Sequence, residues 1–413
     1  MKTNKSITII TANYYPEDTA IGLYTTQFSQ FLLEKGYKVQ VLTGFPSYPQ
    51  WEIYDNYKKL PAFFSENFNG IEIFRYKQFV PKKVNFKGRV LMMLDLFYGT
   101  LLNLKKIKNT DLVFCVVPFT TSILPAITLA KRKKAKLWVH IQDFEFDLAL
   151  DSGVLKSNNL IFKLFRNAIT AFEKKMLNSA DVTSSISFRM LEKIKEKSKN
   201  ENPFYFPNWV SSTKINPAHS KQHSMIDPNK FSLLYSGNIG EKQDWDFLKS
   251  LCDLIKLEDN IEIIIVGAGG FKNELKAKIK PSEIIRYFEP VPYEDLNDLL
   301  CSANAHFLFQ KKEVVDTIMP SKILGMMASQ KPSLISGNKN SEVATIINQS
   351  CGGFYFSEND ASSVYNKILE LKNNVTLSNQ LGVNARSYII NKFSEHQVLE
   401  SFEQKLKTVL DEK

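Results

Sequence analysis

Short unbroken apolar runs alternate along the chain with segments whose apolar positions recur every three or four residues. In the first half the runs Ile7–Thr11, Val39–Leu42, Ile71–Phe74, Leu112–Val117, Leu137–Ile141 and Asp181–Ser184 read as strands buried on both faces. Between the first two lies Ala20–Lys35, with Tyr24, Phe28, Phe31 and Leu32 on one helical face and Gly36 to end it. The pattern restarts at Phe231–Tyr235 and continues through Ile261–Val266, Ile284–Phe288, Ala305–Phe309, Ser333–Ile335 and Gly353–Phe356. Strands alternating with helices imply parallel sheets covered on both faces. No short repeat accompanies the alternation, so the chain reads as an α/β protein of two Rossmann-like, doubly wound domains and not as a solenoid.

Pro203, Pro207 and Pro217 break any helix across Asn202–Ser220, which places the boundary there. The expected division is a first domain over 1–205, a second over 206–392, and a terminal helix over 393–413 packing back on the first. That helix has Val398, Phe402, Leu406 and Val409 at helical spacing, an apolar face that needs a partner. Ligands of such sheets bind beyond the carboxyl ends of the strands, so two facing domains predict a deep cleft with a site in it.

Leu112–Ala130 carries no charge and is followed by Lys131, Arg132, Lys133 and Lys134, which suits a membrane helix in length and flank. Pro118 and Pro125 interrupt it, and a buried strand, a proline turn and a short helix explain it better. Met1 to Thr11 shows no secretory signal, so the protein reads as cytoplasmic. With 413 residues, 44% hydrophobic and 23% charged, disordered, collagen-like and disulfide-framework chains are excluded. Cys115, Cys252, Cys301 and Cys351 are far apart, each in an apolar run, and read as buried reduced thiols. Residues 1–210 hold 30 basic against 18 acidic residues, and the remainder 23 against 25, so the whole net charge of +10 belongs to the first half. An anionic partner, nucleic acid or membrane surface, competes here with a general lysine bias. Phe86–Lys108 reads as a strongly apolar helix with a cationic end, either a buried layer helix or a docking element for an anionic leaflet.

Five segments carry candidate chemistry. Asn13-Tyr14-Tyr15-Pro16-Glu17-Asp18-Thr19-Ala20-Ile21-Gly22 leads from the first strand into a helix whose amino end favours negative charge, with a plain capped helix start as the alternative. Tyr235-Ser236-Gly237-Asn238-Ile239-Gly240-Glu241-Lys242-Gln243 follows the first strand of the second half, and its glycines beside Lys242 suit a diphosphate, with a solvated lysine beside a turn as the alternative. Gly267-Ala268-Gly269-Gly270 is a tight turn near a nucleotide and a poor dinucleotide fingerprint. Asp316-Thr317-Ile318-Met319-Pro320-Ser321-Lys322 precedes a helix and can bring Ser321 and Lys322 to phosphate or ribose oxygens. His140-Ile141-Gln142-Asp143 ends a strand where such folds place catalytic groups; His140 is equally well read as a hydrogen-bonded core residue. His219 and His223 lack a carboxylate partner, so no metal site is expected.

With Gly44-Phe45-Pro46-Ser47-Tyr48-Pro49-Gln50-Trp51 and Phe206-Pro207-Asn208-Trp209 added, these segments resemble retaining glycosyltransferases of family 4, of the GT-B fold. They look most like the bacterial exopolysaccharide and lipopolysaccharide branch that includes the colanic-acid fucosyltransferase and the N-acetyl-fucosamine transferases. The resemblance implies a GDP- or UDP-linked sugar donor on the second domain, no other cofactor, no metal and no nucleic acid. It also implies a glycan acceptor on the basic first domain, of which a polyprenyl-diphosphate-linked glycan at the anionic inner membrane is one form. Donor contacts then fall to Gly22, Gly237, Asn238, Lys242, Gly267, Glu289, Asp316, Ser321 and Lys322, and acceptor contacts to Tyr15, Asp18, Tyr48 and Trp51. The sequence departs from the family where its basic residue is Asn238. The family's paired glutamates fall near Thr317 and on Gly325, leaving Asp316, Ser321 and Lys322 as substitutes. Its histidine aligns with Gln142, leaving Asp143 and His140 as stand-ins in catalysis beside Lys242. A sugar-nucleotide epimerase and a non-catalytic nucleotide-sugar binder are the competing classes.

Overall fold

A computed structural model of the protein describes residues 4–18, 20–82, 86–144, 160–313, 321–358 and 360–411. The chain divides into two compact units, residues 1–207 with 399–413, and residues 208–398. The first is built on an eight-stranded sheet of order β3-β4-β2-β1-β5-β6-β7-β8. Its strands are β1 Ser6–Ile10, β2 Lys38–Gly44, β3 Phe63–Phe68, β4 Ile71–Tyr76, β5 Leu112–Val117, β6 Lys136–Ile141, β7 Val182–Ser185 and β8 Phe204–Tyr205. Every pairing is parallel except β3 with β4. The second unit holds a parallel six-stranded sheet of order β11-β10-β9-β12-β13-β14. Here β9 is Phe231–Ser236, β10 Ile261–Val266, β11 Ile285–Phe288, β12 Ala305–Phe309, β13 Ser333–Ser336 and β14 Gly353–Phe356.

Two strands lie outside the sequence expectation. β3 is an edge strand whose side chains alternate between half-buried and exposed, so it has no apolar run to announce it. Asn69 and Gly70, with φ of 51° and 90°, turn it into β4 as a primed hairpin, the one local signal it offered. β8 is only two residues long. The uncharged stretch resolves as β5, a short 3-10 turn at Thr120–Ser122 and the helix Ile123–Lys133. Among the described residues no helix is long and apolar enough to cross a membrane.

The terminal helix Glu395–Asp411 supplies the first unit with part of its core. Phe402 is fully buried, its ring centroid 4.5 Å from Trp138 and 4.7 Å from both Phe28 and Phe206. Burying such a ring contributes about 1.5–3 kcal/mol, enough to hold a helix end to its unit. Cys115 and Cys301 are buried, whereas Cys351 is exposed, a correction to the expectation for that residue. It follows the helix Glu342–Ser350 in a left-handed conformation (φ 48°), which carries its side chain out of the apolar run.

Candidate active site

In each sheet the strand order reverses beside the first strand of the unit, β1 between β2 and β5, and β9 between β10 and β12. Such reversals open a crevice at the carboxyl ends of the strands, and the glycine-bearing loops lie there.

In the second unit the turn after β9 interlocks with the turn after β10. Gly237 N–H donates to Val266 O (2.9 Å), Ile239 N–H to Ala268 O (2.8 Å) and Phe271 N–H to Ile239 O (3.1 Å). A Cβ at Gly267 would overlap Gly237 O, and one at Gly269 would lie 2.5 Å from Asn238 Oδ1. These glycines therefore serve first to let two backbone turns touch. Gly237 itself has φ 141°. Beside it stands Lys322, whose Nζ would be 3.1 Å from a Cβ placed on Gly237. Residues far apart in sequence thus meet: Lys322 Nζ donates to Tyr235 Oη at 2.7 Å and sits 4.3 Å from the centre of that ring. Burial pushes the Lys322 ammonium down to about 7.

Gly240 N–H donates to Gln243 Oε1 (3.1 Å), and its carbonyl accepts from Trp245 Nε1 (2.9 Å), so the turn is pinned from its far side. Lys242 is exposed on this turn, its backbone carbonyl accepting from Lys311 N (3.1 Å). Ser321 is exposed and makes no side-chain cap bond at the start of the helix Lys322–Ala328. Glu289 follows edge strand β11 in solvent, where Lys272 pairs with it at 2.6 Å and lowers its carboxyl. Asp316 lies outside the described residues.

In the first unit the loops after β1 and β2 are joined by a carboxylate. Glu17 is 2% exposed, and its Oε1 accepts from Ser47 N (2.7 Å) and Tyr48 N (2.8 Å), its Oε2 from Asn13 Nδ2 (2.8 Å). Burial raises its carboxyl above the ordinary value, opposed by those hydrogen bonds. A Cβ on Gly22 would lie 2.7 Å from Glu17 O and 2.8 Å from Glu17 Cβ, so Gly22 is where the helix Ala20–Glu34 meets this loop.

Arg75, fully buried on β4, donates from Nη1 to Gly44 O (3.0 Å), from Nη2 to Tyr15 O and from Nε to Glu66 Oε1 (2.5 Å). Gln78 clamps Phe45 through both backbone groups, at 2.7 and 2.9 Å. On this frame the Tyr15 ring is stacked on Phe68 at 3.6 Å, Asp18 is exposed, and Tyr48 and Trp51 are half-buried with ring centroids 6.4 Å apart. Trp51 leans on the cluster of Ala12, Met92, Leu96 and Phe119.

At the end of β6, His140 is 3% exposed. Its Nδ1 is 2.9 Å from Ser184 Oγ, and Gln142 Nε2 donates to its Nε2 at 2.9 Å. Burial drives its imidazole down to about 3, so the ring is neutral and both nitrogens are engaged. That is the geometry of the core histidine and leaves it no free nitrogen for acid–base work. Asp143 lies just past the strand beside a small crevice that Val117, Thr120 and Glu173 also line. Glu17 and Tyr235 lie inside candidate segments with no role assigned from the sequence, and Arg75 and Gln78 lie outside them. Only Arg75 offers a signal, a charge on the same strand face as the buried Ile71 and Ile73.

Residues 218–388 match the family model described as glycosyl transferases group 1. WcaI of Escherichia coli K12, a glycosyl transferase assigned to colanic acid biosynthesis, is 32% identical over 347 residues, covering 81% of this chain and 84% of that protein. The chain belongs to the group 1 glycosyl transferases. Sucrose-phosphate synthase of Thermosynechococcus elongatus matches in structure with a TM-score of 0.74 at 12% identity, over 99% of this chain and 100% of that one. HepE of Anabaena, solved in complex with UDP, matches with a TM-score of 0.67 at 10% identity, over 98% and 100%. The fold is GT-B.

Proposed function

We propose that the protein is a retaining, metal-independent glycosyltransferase of bacterial surface polysaccharide biosynthesis. It moves fucose or a related deoxy or amino sugar from a GDP- or UDP-sugar to a hydroxyl of a lipid-linked glycan. The reading rests on one observation above all: Lys322 stands over the Gly237 turn, beside the crevice where β9 and β12 diverge. As the bond to the anomeric carbon breaks, negative charge grows on the departing diphosphate. Lys322 and Lys242 are the donors that would meet it, because the N–H groups of Gly237, Ile239 and Gly240 already bond within the protein. Each such donor accounts for about 3 kcal/mol of barrier, roughly a hundredfold or more in rate. The colanic acid assignment of WcaI supports a role in polysaccharide biosynthesis, and UDP bound to HepE supports a nucleoside diphosphate.

Catalytic weight falls in this reading on Lys242 and Lys322, while Asp143 positions sugar or acceptor and His140 shapes the core behind it. Asp18, Tyr48 and Trp51 present the acceptor side, with Tyr15 fixing the loop. The protein works in the cytoplasm against the inner membrane, using the helix Phe86–Asn103. On that helix Leu91, Leu94, Tyr98 and Leu102 form an exposed stripe at heptad-like spacing. The cations Lys105, Lys108 and Lys133 gather at its carboxyl end, Lys133 Nζ reaching Lys108 O at 2.8 Å. Each lysine near an anionic surface contributes about 1 kcal/mol.

A thermal-shift series over GDP, UDP, ADP and their sugars tests the donor. Binding stabilises by about 2.7 kcal/mol at a hundredfold excess over Kd. Lys242→Ala should abolish the shift given by the diphosphate, and an unchanged shift would remove this cradle from the site. Anomeric configuration of the transferred sugar, read by NMR on the product, tests retention.

A further inference from the structure

Tyr235 is 1% exposed, on β9 two residues before Gly237, with its ring edge-on to Trp245 at 5.3 Å and tilted against Phe307 at 5.7 Å. A phenol so enclosed needs partners, and it has two. Its single proton goes to Asn238 O at 2.5 Å, so its lone pair must accept from Lys322 Nζ at 2.7 Å. The hydroxyl therefore ties the start of the helix Lys322–Ala328 to the backbone of the glycine turn. Among the described residues it is the acceptor that the Lys322 ammonium bonds.

We propose that Tyr235 is the positioning residue of the donor site, holding the Lys322 ammonium over the Gly237 turn so that capture of a diphosphate takes up a proton on Lys322. The inference rests on the donor reading above. Among the described residues the Tyr235 phenol is the one titratable group that bonds Lys322, and no charged side chain on β9, on the turns after β9 and β10 or on its own helix perturbs it. No carboxylate among the described residues pairs with the ammonium, and burial lowers it to about 7. A bound pyrophosphate restores the missing counter-charge and returns the lysine to its usual range. A lysine of this kind is about nine-tenths deprotonated at pH 8 and half deprotonated at pH 7, and it is charged once the anion is bound.

Isothermal titration of GDP and of UDP, at pH 8 in HEPES and in Tris, reads the proton count from the difference in buffer ionisation heat. Roughly 0.9 proton should be taken up at pH 8, where the terminal phosphate is already fully ionised and adds little. Lys322→Met should bind more weakly and take up none. Tyr235→Phe keeps the ring and its packing, so the melting temperature should stay close to wild type. It should weaken nucleotide binding about tenfold at pH 7 and move the midpoint of affinity against pH downward, because the charged lysine has lost its acceptor.

Wild-type protein that binds a nucleotide without proton uptake overturns the inference and leaves the donor site standing. Tyr235→Phe matching wild type in both affinity and midpoint does the same. Wild-type protein that binds neither nucleotide overturns both.

Discussion

Replacing Gly22 by alanine sets two known effects against each other. Alanine within a helix is worth about 0.8–1 kcal/mol over glycine, and Gly22 is inside Ala20–Glu34, so propensity alone predicts stabilisation. The added methyl, however, would lie 2.7 Å from Glu17 O and 2.8 Å from Glu17 Cβ. Restoring ordinary contact pushes Glu17 by about 0.7 Å, given how steeply such contacts repel. Its carboxylate is held by three donors at 2.7–2.8 Å, and that displacement carries them to the edge of hydrogen bonding. Losing most of three bonds to a buried charge costs about 3 kcal/mol or more, which exceeds the propensity gain. The expected net loss is about 2 kcal/mol, and the first unit should melt some 4–8 °C earlier. Because the loop bearing Tyr48 and Trp51 moves with Glu17, turnover should drop at least about tenfold. Calorimetry and a turnover assay read both. A Gly22→Ala protein that melts at or above the wild-type temperature with full turnover would refute the reasoning.

Three further outcomes follow from the same geometry. Glu17→Gln removes a carboxyl whose folded-state pKa is raised, a group that binds its proton more tightly folded than unfolded. Wild-type stability should therefore gain on Glu17→Gln as pH falls from 8 through the raised value toward the ordinary one, and parallel melting curves from pH 8 to 4.5 would contradict this. Phe402→Ala empties the centre of the aromatic core and should cost about 3–5 kcal/mol, seen as an early transition of the first unit in calorimetry; a shift below about 2 °C would mean that the terminal helix is not integral to it. Leu91→Glu with Leu94→Glu should leave the melting temperature unchanged, since both are exposed, yet abolish flotation with anionic vesicles at low salt; undiminished flotation would remove the stripe from the membrane reading.

How far the sequence could be read depends on the range of the interaction involved. Strand and helix identities come from burial patterns within a few residues, which is why Leu112–Val117 and Ala305–Phe309 coincide with β5 and β12. β3 escaped because an edge strand with one half-buried face leaves only alternation and an Asn-Gly turn. The site is different in kind. Gly237 and Lys242 are legible as a turn because they are neighbours, whereas the Tyr235–Lys322 bond joins residues 87 apart and has no sequence period. Glu17 sits in the loop after β1 with nothing nearby in the sequence to say that it is buried. The proposed role of Lys322 also changes what the donor site can recognise. Where the family's glutamates would accept hydrogen bonds from ribose and sugar hydroxyls, an ammonium accepts none and can only donate. In the proposed donor site Lys322 and Lys242 thus address oxygens that carry negative charge. Affinity should then reside mainly in the diphosphate, with sugar selectivity drawn from carbonyl and carboxylate acceptors elsewhere in the crevice.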